Sequence, residues 1–482
     1  MTGAIIEREN PARNDELVGN VVAATPAEVD LVVANARKAQ PEWAALDVDS
    51  RATAVRTGAE RIVAEVDTLA ELMARETGKV LGDCRGELLF SAAVLRWAAD
   101  RAPELLADHV IDDEAGRLLL RRRPYGVVAA VTPWNAPVIL AVLKLGPALV
   151  AGNAVVVKPS PFAPFAIARV VELLGGWMPE GTVQVVQGEA ETATALVGHR
   201  GVDRVAFTGG ENAGRALASI AGQALTPALM ELGGNDPAIL LEDADLTPEA
   251  MERLVMASFA TSGQVCMAVK RLLVPRRRYD EVVDAYRAAA DRVLRVGDPL
   301  FEGVTLGPVV TAASASRVRG LVEDAVASGA EALVLGGTDA HTDLGRGHFL
   351  RPTLVLGASD ADRLVAEEQF GPTVPLLAYD TVDEAVARAN AGDLGLGASV
   401  WSADEDRAFA VATRLEAGFT FVNTHNRTGM ALRAPFGGIK RSGWGREYGD
   451  EGLLEHTQTC VVHAPGAFRP GGSGLGASAY PV

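Results

Sequence analysis

The sequence predicts an α/β fold in two or three domains, in which parallel sheets are covered by helices on both faces. Length is the first observation, because 482 residues exceed what one ordinary hydrophobic core organises. Composition is the second, since 48% apolar and 22% charged residues are typical of globular chains. The third is the order of elements: from Gly126 onward, short apolar runs alternate with helical stretches.

The first hundred residues are predicted as amphipathic helices, because apolar side chains recur at helical spacing. The clearest helices cover residues 27–43, 50–64 and 67–76, and Gly78 is a stop signal for the third. The alternating region has predicted strands at 127–131, 154–157, 183–186 and 204–207, and helices at 165–174 and 190–197. A second α/β segment begins near Gly234, with strands at 238–241, 271–274, 333–335 and 376–379, and helices at 248–260 and 278–294.

Charge and hydropathy argue against two classes of partner. A net charge of −17 does not fit a nucleic-acid binder and disfavours docking on anionic membranes. Residues 126–143 carry no charge and are just long enough to span a bilayer. However, Pro133, Asn135 and Pro137 interrupt them, so a buried strand, a polar turn and the start of a buried helix are predicted instead.

The cysteines and the first residues bear on the cellular compartment, and the composition of the last residues bears on their mobility. The three cysteines are widely spaced, which fits neither a disulfide framework nor zinc-ligand spacing. We therefore expect no metal and a cytoplasmic setting. The first residues lack the basic-then-apolar order of a signal peptide. Residues 465–482, rich in Gly, Pro, Ser and Ala, are predicted to be mobile.

A thiol and a carboxylate stand in two Gly-rich turns. Cys266 follows Gly263 in one loop, and Glu231 precedes Gly233 in another. A thiol can attack a carbonyl, and a carboxylate can activate the water that releases the product. Taken alone, however, a cysteine is more often a small buried apolar residue.

Three more turns follow predicted strands. Gly209 and Gly214 lie between a strand and a helix, where free N–H groups suit a pyrophosphate, although their spacing departs from the Gly-x-Gly-x-x-Gly fingerprint and also fits a structural turn. Lys158 ends a strand and can reach a ribose or phosphate, or lie in solvent. Asn135, between two prolines, can donate to a developing oxyanion or close an Asx turn.

These segments belong to a set of motifs that resembles the aldehyde dehydrogenase superfamily. The resemblance covers nearly the whole chain, and its motifs occur in the order found in that family: Pro133-Trp134-Asn135, Lys158-Pro159-Ser160, Phe207-Thr208-Gly209, Glu231-Leu232-Gly233-Gly234, Gly263-Gln264-Val265-Cys266, Glu368-Gln369-Phe370-Gly371-Pro372 and Pro435-Phe436-Gly437-Gly438-Ile439-Lys440-Arg441-Ser442-Gly443.

The resemblance implies NAD(P)-dependent oxidation of an aldehyde to a carboxylic acid. Cys266 is then the nucleophile, which forms a thiohemiacetal and, after hydride transfer to the nicotinamide, a thioester. Asn135 and the backbone N–H of Cys266 form the oxyanion hole, and Glu231 activates the hydrolytic water. The residues implied for the cofactor, NAD or NADP, are Trp134, Lys158, Ser160, Gly209, Gly210, Leu232, Glu368 and Phe370.

Two departures from the family pattern leave the choice between NAD and NADP open. Pro161 stands where NAD-preferring relatives often carry a glutamate that binds the adenosine ribose, so a 2′-phosphate meets no repulsion there. Gly210 replaces a hydroxyl residue that is common after Phe-Thr-Gly, which removes one possible phosphate hydrogen bond.

The resemblance also implies an architecture. Residues 1–107 and 125–232 are expected to form the cofactor-binding domain, 233–440 the catalytic domain, and 108–124 with 455–482 a small β oligomerisation arm and tail. Residues 108–124 should pair with a strand near 457–463, and that strand's open edge favours a partner chain, in a homodimer or homotetramer.

The aldehyde pocket is expected beside three segments: Ala136, Ile139 and Leu140; Ala260, Val265 and Met267; and His425, Asn426 and Arg427. Small residues at 136 and 260 and largely aliphatic walls favour a bulky aldehyde over acetaldehyde. The third segment is predicted as a solvated loop, the alternative being a polar end to the pocket. Two other functions are weighed: a CoA-acylating relative, against which Glu231 argues, and a non-catalytic scaffold.

Overall fold

The computed structural model describes residues 3–466, except the side chain of Arg427. The chain begins with an antiparallel hairpin, β1 (Ile5–Asn10) and β2 (Arg13–Val22). The prediction that the first hundred residues are helical is wrong for these strands. The hairpin carries many charged residues and is half exposed, so it lacks the apolar alternation that signals a strand. The predicted mobile tail lies outside the described residues from position 467 onward.

Four helices follow: α1 (Pro26–Ala45), α2 (Val48–Ala64), α3 (Val66–Thr77) and α4 (Leu81–Leu105). The first three confirm the predicted helices, whereas α4 was not predicted. Thr25 caps α1 by accepting a hydrogen bond from the Glu28 N–H, and the Glu28 carboxylate accepts one in return. Gly78 ends α3 with a φ of +79°, as its stop signal predicted.

The next hundred residues form the first large sheet. After β3 (His109–Asp113) and β4 (Gly116–Pro124), the elements are β5 (Val127–Val131), α5 (Pro137–Val150), β6 (Ala154–Lys158), α6 (Phe165–Gly175), β7 (Val183–Val185), α7 (Ala190–Val197), β8 (Arg204–Thr208), α8 (Glu211–Gln223) and β9 (Ala228–Glu231). Strands β9, β8, β5, β6 and β7 are parallel in that spatial order. The predicted strand–helix alternation is confirmed, including the turn that interrupts residues 126–143.

A second α/β segment follows, with the elements β10 (Asp236–Leu240), α9 (Pro248–Phe259), β11 (Val269–Pro275), α10 (Tyr279–Val293), β12 (Arg295–Val296), α11 (Ala312–Ala327), β13 (Glu331–Val334), β14 (Gly337–Thr338), β15 (Thr353–Leu356), α12 (Arg363–Ala366), β16 (Thr373–Tyr379), α13 (Val382–Asn390), β17 (Leu394–Gly395), β18 (Gly397–Trp401), α14 (Glu405–Ala412), β19 (Phe419–Val422) and β20 (Ile439–Lys440). Strands β12 and β14 pair in one small sheet and β17 and β20 in another, both separate from the large second sheet. Its spatial order is β13-β15-β16-β11-β10-β18-β19, and only β13 runs antiparallel to its neighbour. The strands and helices predicted in this segment are all present.

The described C-terminal part returns to the first sheet through β21 (Gly443–Trp444), α15 (Gly449–Leu454) and β22 (Thr457–Pro465). β21 lies antiparallel to β9, which brings residue 443 opposite Glu231. β22 pairs with β4 in a three-stranded sheet, as the sequence predicts. Its role in oligomerisation stays a prediction, as do the three domain boundaries. None of the helices within residues 3–466 is long and apolar enough to cross a membrane.

Candidate active site

A cavity of about 460 Å³ lies beyond the carboxyl ends of the parallel strands β5, β6, β8 and β9, where ligands of open α/β sheets bind. It brings together residues from six sequence motifs that are spread along the chain. Among its lining residues are Trp134, Asn135, Lys158, Ser160, Pro161, Gly209, Gly210, Leu232, Cys266, Glu368 and Phe370. Every predicted site residue except Glu231 therefore lines one cavity.

The loop that carries Cys266 turns in an unusual backbone conformation. Thr261 and Ser262 both have a φ of +56°, and Gly263 follows at +69°. Non-glycine residues pay about 1–3 kcal/mol each for such φ values, so their surroundings must hold them. A Cβ at position 263 would lie 2.2 Å from the Gly371 carbonyl oxygen, which explains the glycine. The strained turn re-aims the chain from α9 toward the cavity.

Side-chain bonds hold this turn in place. The Ser262 hydroxyl donates to the Gly307 carbonyl at 2.7 Å, and the Gln264 carboxamide oxygen accepts from the Val310 N–H at 2.9 Å. Burial raises the pKa of the Cys266 thiol to about 12, while the positive charge of Lys270 opposes that shift. Cys266 therefore carries its proton in the free protein, and the charge of Lys270 favours its ionisation.

Asn135 lies against the loop that carries Cys266. Its Nδ2 donates to the Gln264 carbonyl oxygen at 3.0 Å. An amide nitrogen carries two hydrogens, so the second can serve an oxyanion formed at Cys266.

The helix that follows Asn135 is held by a glutamate that the sequence analysis missed. In α4, the Glu87 carboxylate accepts from the N–H groups of Val138 and Ile139, at 2.9 and 3.1 Å, and so caps the start of α5. Its other oxygen pairs with Lys79, and both side chains are buried. No local signal connects residue 87 with a turn about fifty positions later.

Glu231 ends β9 with its side chain turned away from the cavity lining. A Cβ at position 437 would lie 2.8 Å from its Oε1, so Gly437 leaves room for the carboxylate. Oε1 is buried without a hydrogen-bond partner within residues 3–466. Burial raises the pKa of Glu231 well above its usual range, and the charge of Glu447 raises it further.

Glu447 belongs to a buried network that the sequence analysis also missed. The Lys144 ammonium donates to Glu447 Oε1 at 2.5 Å and to Thr208 Oγ1 at 2.6 Å, and its side chain is 0% exposed. Its positive charge lowers the pKa of Glu231 in opposition to Glu447. A lysine inside the apolar run of α5 was the available signal, because a fully buried lysine requires a partner.

The motif around Ser442 fixes the turn after Glu231. The Ser442 hydroxyl donates to the Gly233 carbonyl at 2.7 Å and accepts from the Gly395 N–H at 2.9 Å. The Ser442 carbonyl accepts from the Leu232 N–H at 2.9 Å. The glutamate and its glycine turn are thus tied to the segment that returns from the second sheet.

The first sheet offers a site that fits a dinucleotide. No side chain caps α8, so the N–H groups of its first turn remain available for a phosphate. A Cβ added at Gly210 would meet no atom within 4 Å, which leaves open space in front of this helix. Trp134 and Phe370 face each other edge-on across the cleft, with ring centroids 5.7 Å apart.

Lys158 ends β6 and lines this cleft. Burial lowers its pKa to about 8, and the carboxylate of Glu189 opposes that shift. Glu189 directly precedes α7, and it lines a further cavity together with Pro161. An acidic side chain that the sequence analysis missed therefore stands near the position where Pro161 replaces the expected glutamate.

A second cavity, of about 560 Å³, opens on the other side of Glu368 and Phe370. Its lining is charged, but two of its arginines are already bonded within the protein. Arg317 donates to the carbonyls of Glu368 and Gln369, both at 2.7 Å, and Arg441 pairs with Asp393 at 2.6 Å. Cys266 does not line it, so the chemistry is assigned to the first cavity.

The residues expected around the aldehyde differ in their burial and in whether they line the cavity. Leu140 lines the cavity with Cys266, whereas Ala136, Val265 and Met267 are half-buried and Ile139 and Ala260 are buried. Ala136, Leu140 and Met267 pack against a cluster that includes the aromatic residues Phe436 and Tyr448. The cluster is mainly aliphatic, so the expectation of largely aliphatic pocket walls stays a prediction.

The prediction of a solvated loop at His425 and Asn426 is wrong. Both residues are buried, at 1% and 2% exposure. His425 Nε2 lies 3.4 Å from the buried Asp236 carboxylate, and its ring packs on Phe421 at 5.0 Å between centroids. The short turn before the Pro435 motif is thus anchored in the interior. The side chain of Arg427 lies outside the described part.

Residues 3–466 contain no group of three or more His, Cys, Asp and Glu side chains placed to hold a metal ion. The three cysteines form no disulfide, with Cys84 buried and Cys266 and Cys460 half-buried.

Comparisons with known proteins agree with this geometry. The model of the aldehyde dehydrogenase family matches residues 2–462. Geranial dehydrogenase of Castellaniella defragrans is 39% identical over 450 residues, 92% of each chain. Glutarate-semialdehyde dehydrogenase of Pseudomonas putida is 35% identical over 465 residues, 95% of each chain.

Solved structures share the whole fold. An NAD-dependent aldehyde dehydrogenase from Sinorhizobium meliloti superposes with a TM-score of 0.91 at 33% identity, covering 97% of this chain and 92% of that one. An NADP-dependent enzyme from Escherichia coli has a TM-score of 0.90 at 32% identity, covering 96% and 95%.

Proposed function

The chain belongs to the aldehyde dehydrogenase family, and on that premise we propose how its residues divide the reaction. It is an NAD(P)-dependent enzyme that oxidises an aldehyde to the carboxylic acid. The single observation that supports the assignment of roles is the shared cavity, which places Cys266 and Asn135 beside the predicted cofactor residues.

Cys266 is proposed as the nucleophile. Its sulfur attacks the carbonyl carbon, and the Asn135 amide and the Cys266 backbone N–H donate to the oxygen as charge develops on it. A nicotinamide cofactor bound in the cleft would supply the hydride acceptor, and loss of hydride from the thiohemiacetal carbon leaves a thioester on Cys266. The bond between Asn135 and the Gln264 carbonyl keeps the amide close to the loop throughout.

Glu231 is proposed as the base for hydrolysis. It takes a proton from water, the hydroxyl group adds to the thioester, and the acid leaves as the Cys266 thiolate is restored. Burial and the charge of Glu447 raise the pKa of Glu231 and so strengthen it as a base, while the charge of Lys144 favours the ionised form that can accept a proton. Its present orientation toward Gly437 requires the side chain to turn toward the cavity for this step.

This role for Glu231 argues against the CoA-acylating alternative, in which a thiol accepts the acyl group. The complete set of Cys266, Glu231 and Asn135 argues in the same way against a non-catalytic scaffold.

The cofactor cleft is proposed to accept both NAD and NADP. Lys158 and Ser160 hold the adenosine ribose, Gly209 and Gly210 the pyrophosphate, and Glu368 the nicotinamide ribose. The open space before α8 and the uncapped N–H groups of its first turn support the phosphate assignment. Leu232, Trp134 and Phe370 line the channel in which the nicotinamide approaches Cys266.

The substrate is proposed to be a bulky apolar aldehyde, aromatic or long-chain. Half-buried Ala136 and the apolar cluster around Leu140 and Met267 support this class. The similarity to geranial dehydrogenase points in the same direction, since geranial is a large apolar aldehyde. The similarity to a dehydrogenase of glutarate semialdehyde makes carboxy-bearing aldehydes the competing class.

The enzyme is proposed to be a cytoplasmic homodimer or homotetramer. The three cysteines without disulfide partners support a reducing compartment. The three-stranded arm sheet supports assembly, because Val461 and Val462 on β22 are 56% and 61% exposed and sheet edges invite pairing.

The test of the nucleophile is Cys266→Ala. We expect loss of aldehyde oxidation with nearly unchanged NAD binding, measured by kcat and by fluorescence titration of the cofactor. Cys460→Ala is the matched control and should keep wild-type kcat. Retention of more than a few per cent of kcat in Cys266→Ala would overturn the assignment.

A further inference from the structure

One lysine, Lys270, binds the nucleophile loop, which is the segment 261–268 that carries Cys266. Lys270, near the start of β11, has a side chain only 3% exposed. Its ammonium donates to the carbonyl oxygens of Cys266 and of Val265, the latter at 2.9 Å, and lies 3.5 Å from that of Ala268. The lysine therefore contacts the carbonyl oxygens of three residues in the turn that carries the thiol.

The carboxylate beside this lysine is that of Glu368. Its Oε1 lies 3.4 Å from Lys270 Nζ and accepts from the Gly234 N–H at 3.2 Å. Charge-assisted bonds are ordinarily about 2.7–2.9 Å long, so both contacts are loose. Glu368 lines both cavities, and its side chain is 22% exposed, so the carboxylate borders the cofactor cleft as well as Lys270.

Lys270 is also the cation that opposes the acidic groups around the thiol. The carboxylates whose charges act on Cys266 are those of Glu368, Asp236 and Glu231, and each disfavours a thiolate. The charge of Lys270 favours one.

The other charges nearby are directed elsewhere. Arg271, the next residue of β11, turns away and donates to the carbonyls of Asn235, Arg388 and Ala389. On the acidic side, Asp236 is paired with the His425 ring. The equilibrium between thiol and thiolate at Cys266 therefore depends mainly on the charge of Lys270 and on its loose pairing with Glu368.

We propose that Lys270 is a positioning residue that fixes the nucleophile loop and promotes formation of the thiolate, and that Glu368 masks its charge in the free enzyme. This inference rests on the proposed function in one respect: Glu368 is assigned to the nicotinamide ribose. When that carboxylate turns to the sugar it leaves Lys270, and the charge of the lysine then acts on Cys266 without its partner. Cofactor binding and activation of the nucleophile are coupled in this way.

The test is the rate at which iodoacetamide alkylates Cys266 in the free enzyme, followed at pH 8 by mass spectrometry of the peptide that contains it. A neighbouring charge shifts a pKa by about 1–3 units. Because a thiolate loses nucleophilicity as its pKa falls, the rate changes about three- to fourfold per unit. We expect Lys270→Met to react at least about threefold more slowly than wild type, and Glu368→Gln at least about threefold faster.

Two controls separate charge from architecture. Lys270→Arg keeps the positive charge and should restore most of the wild-type rate. Lys440→Met removes another lysine that bonds two backbone carbonyls and a glutamate, yet lines neither cavity, and it should leave the rate unchanged. Should Lys270→Met fail to fold, the Glu368→Gln rate tests the masking on its own.

Adding NAD tests the coupling. NAD should raise the alkylation rate of the wild type relative to its rate without NAD by more than it does in Glu368→Gln, where the mask is already gone. NAD is supplied at a concentration that saturates each enzyme, determined from the Kd of each, because Glu368 is assigned to the nicotinamide ribose and its replacement weakens binding. Equal rates in wild type, Lys270→Met and Glu368→Gln would overturn the inference while leaving Cys266 as the nucleophile. An active Cys266→Ala enzyme would instead overturn the proposed function.

Discussion

Glu87→Gln tests how the N-terminal helices support the oxyanion site. The change keeps an oxygen for the N–H groups of Val138 and Ile139 but removes the charge that pairs with Lys79. Both charged side chains are about 5% exposed. Leaving one member of a buried pair without its partner costs about 3–5 kcal/mol. We expect the free energy of unfolding to fall by about that amount. We also expect a lower kcat, because a neutral amide oxygen holds the helix start after Asn135 less firmly than a carboxylate does.

The assay is urea denaturation monitored by fluorescence, with kcat and the Kd for NAD measured in parallel. The double variant Lys79→Met/Glu87→Gln should recover most of the stability, since removing both charges avoids an unpaired one. Glu104→Gln, on the exposed face of the same helix, is the matched control and should change stability by less than about 0.5 kcal/mol. A Glu87→Gln enzyme as stable as this control, or a double variant no better than the single one, would refute the reasoning.

Three further outcomes are expected. Pro161→Glu should weaken NADP binding more than NAD binding, by about 1–2 kcal/mol, and Glu189→Gln should shift the Kd ratio toward NADP; unchanged ratios would place the specificity elsewhere. Leu140→Phe, which enlarges a side chain that lines the cavity with Cys266, should lower kcat/KM for large aldehydes selectively, because each substrate methylene buried in the wild type contributes about 0.8 kcal/mol; a wild type that prefers acetaldehyde contradicts this. Glu447→Gln removes a negative charge that raises the pKa of Glu231, so the rising limb of kcat against pH should move to lower pH; a limb that stays or moves upward contradicts the assignment.

The parts of the fold with local signals were predictable from sequence. Strand–helix alternation and glycine turns predicted the sheets, because the central strands β5, β6 and β8 of the first sheet are buried on both faces and form apolar runs in the sequence. The β1–β2 hairpin gave no such signal, since its charged strands are half exposed. Helix α4 mixes buried polar residues such as Glu87 and Ser91 into its apolar face, which hides its periodicity.

The residues of the site also divide into those with a local sequence signal and those without one. Asn135 and Lys158 lie in short motifs at strand ends, and Cys266 lies in a glycine-containing loop, so all three have a local sequence signal. Residues that act through distant partners were missed: Lys144 and Glu447 are 303 positions apart, and no local pattern joins them. The buried position of His425 depends likewise on Asp236, 189 residues earlier.

Pre-steady-state kinetics of Glu231→Gln test the division of labour between Cys266 and Glu231 most directly. The variant keeps the nucleophile and the cofactor cleft, so acylation and hydride transfer should proceed while hydrolysis stalls. The expected result is a burst of about one reduced cofactor per active site, followed by slow turnover. Loss of the burst together with the steady-state rate would contradict the account, because it would place Glu231 before hydride transfer, as the base that activates Cys266.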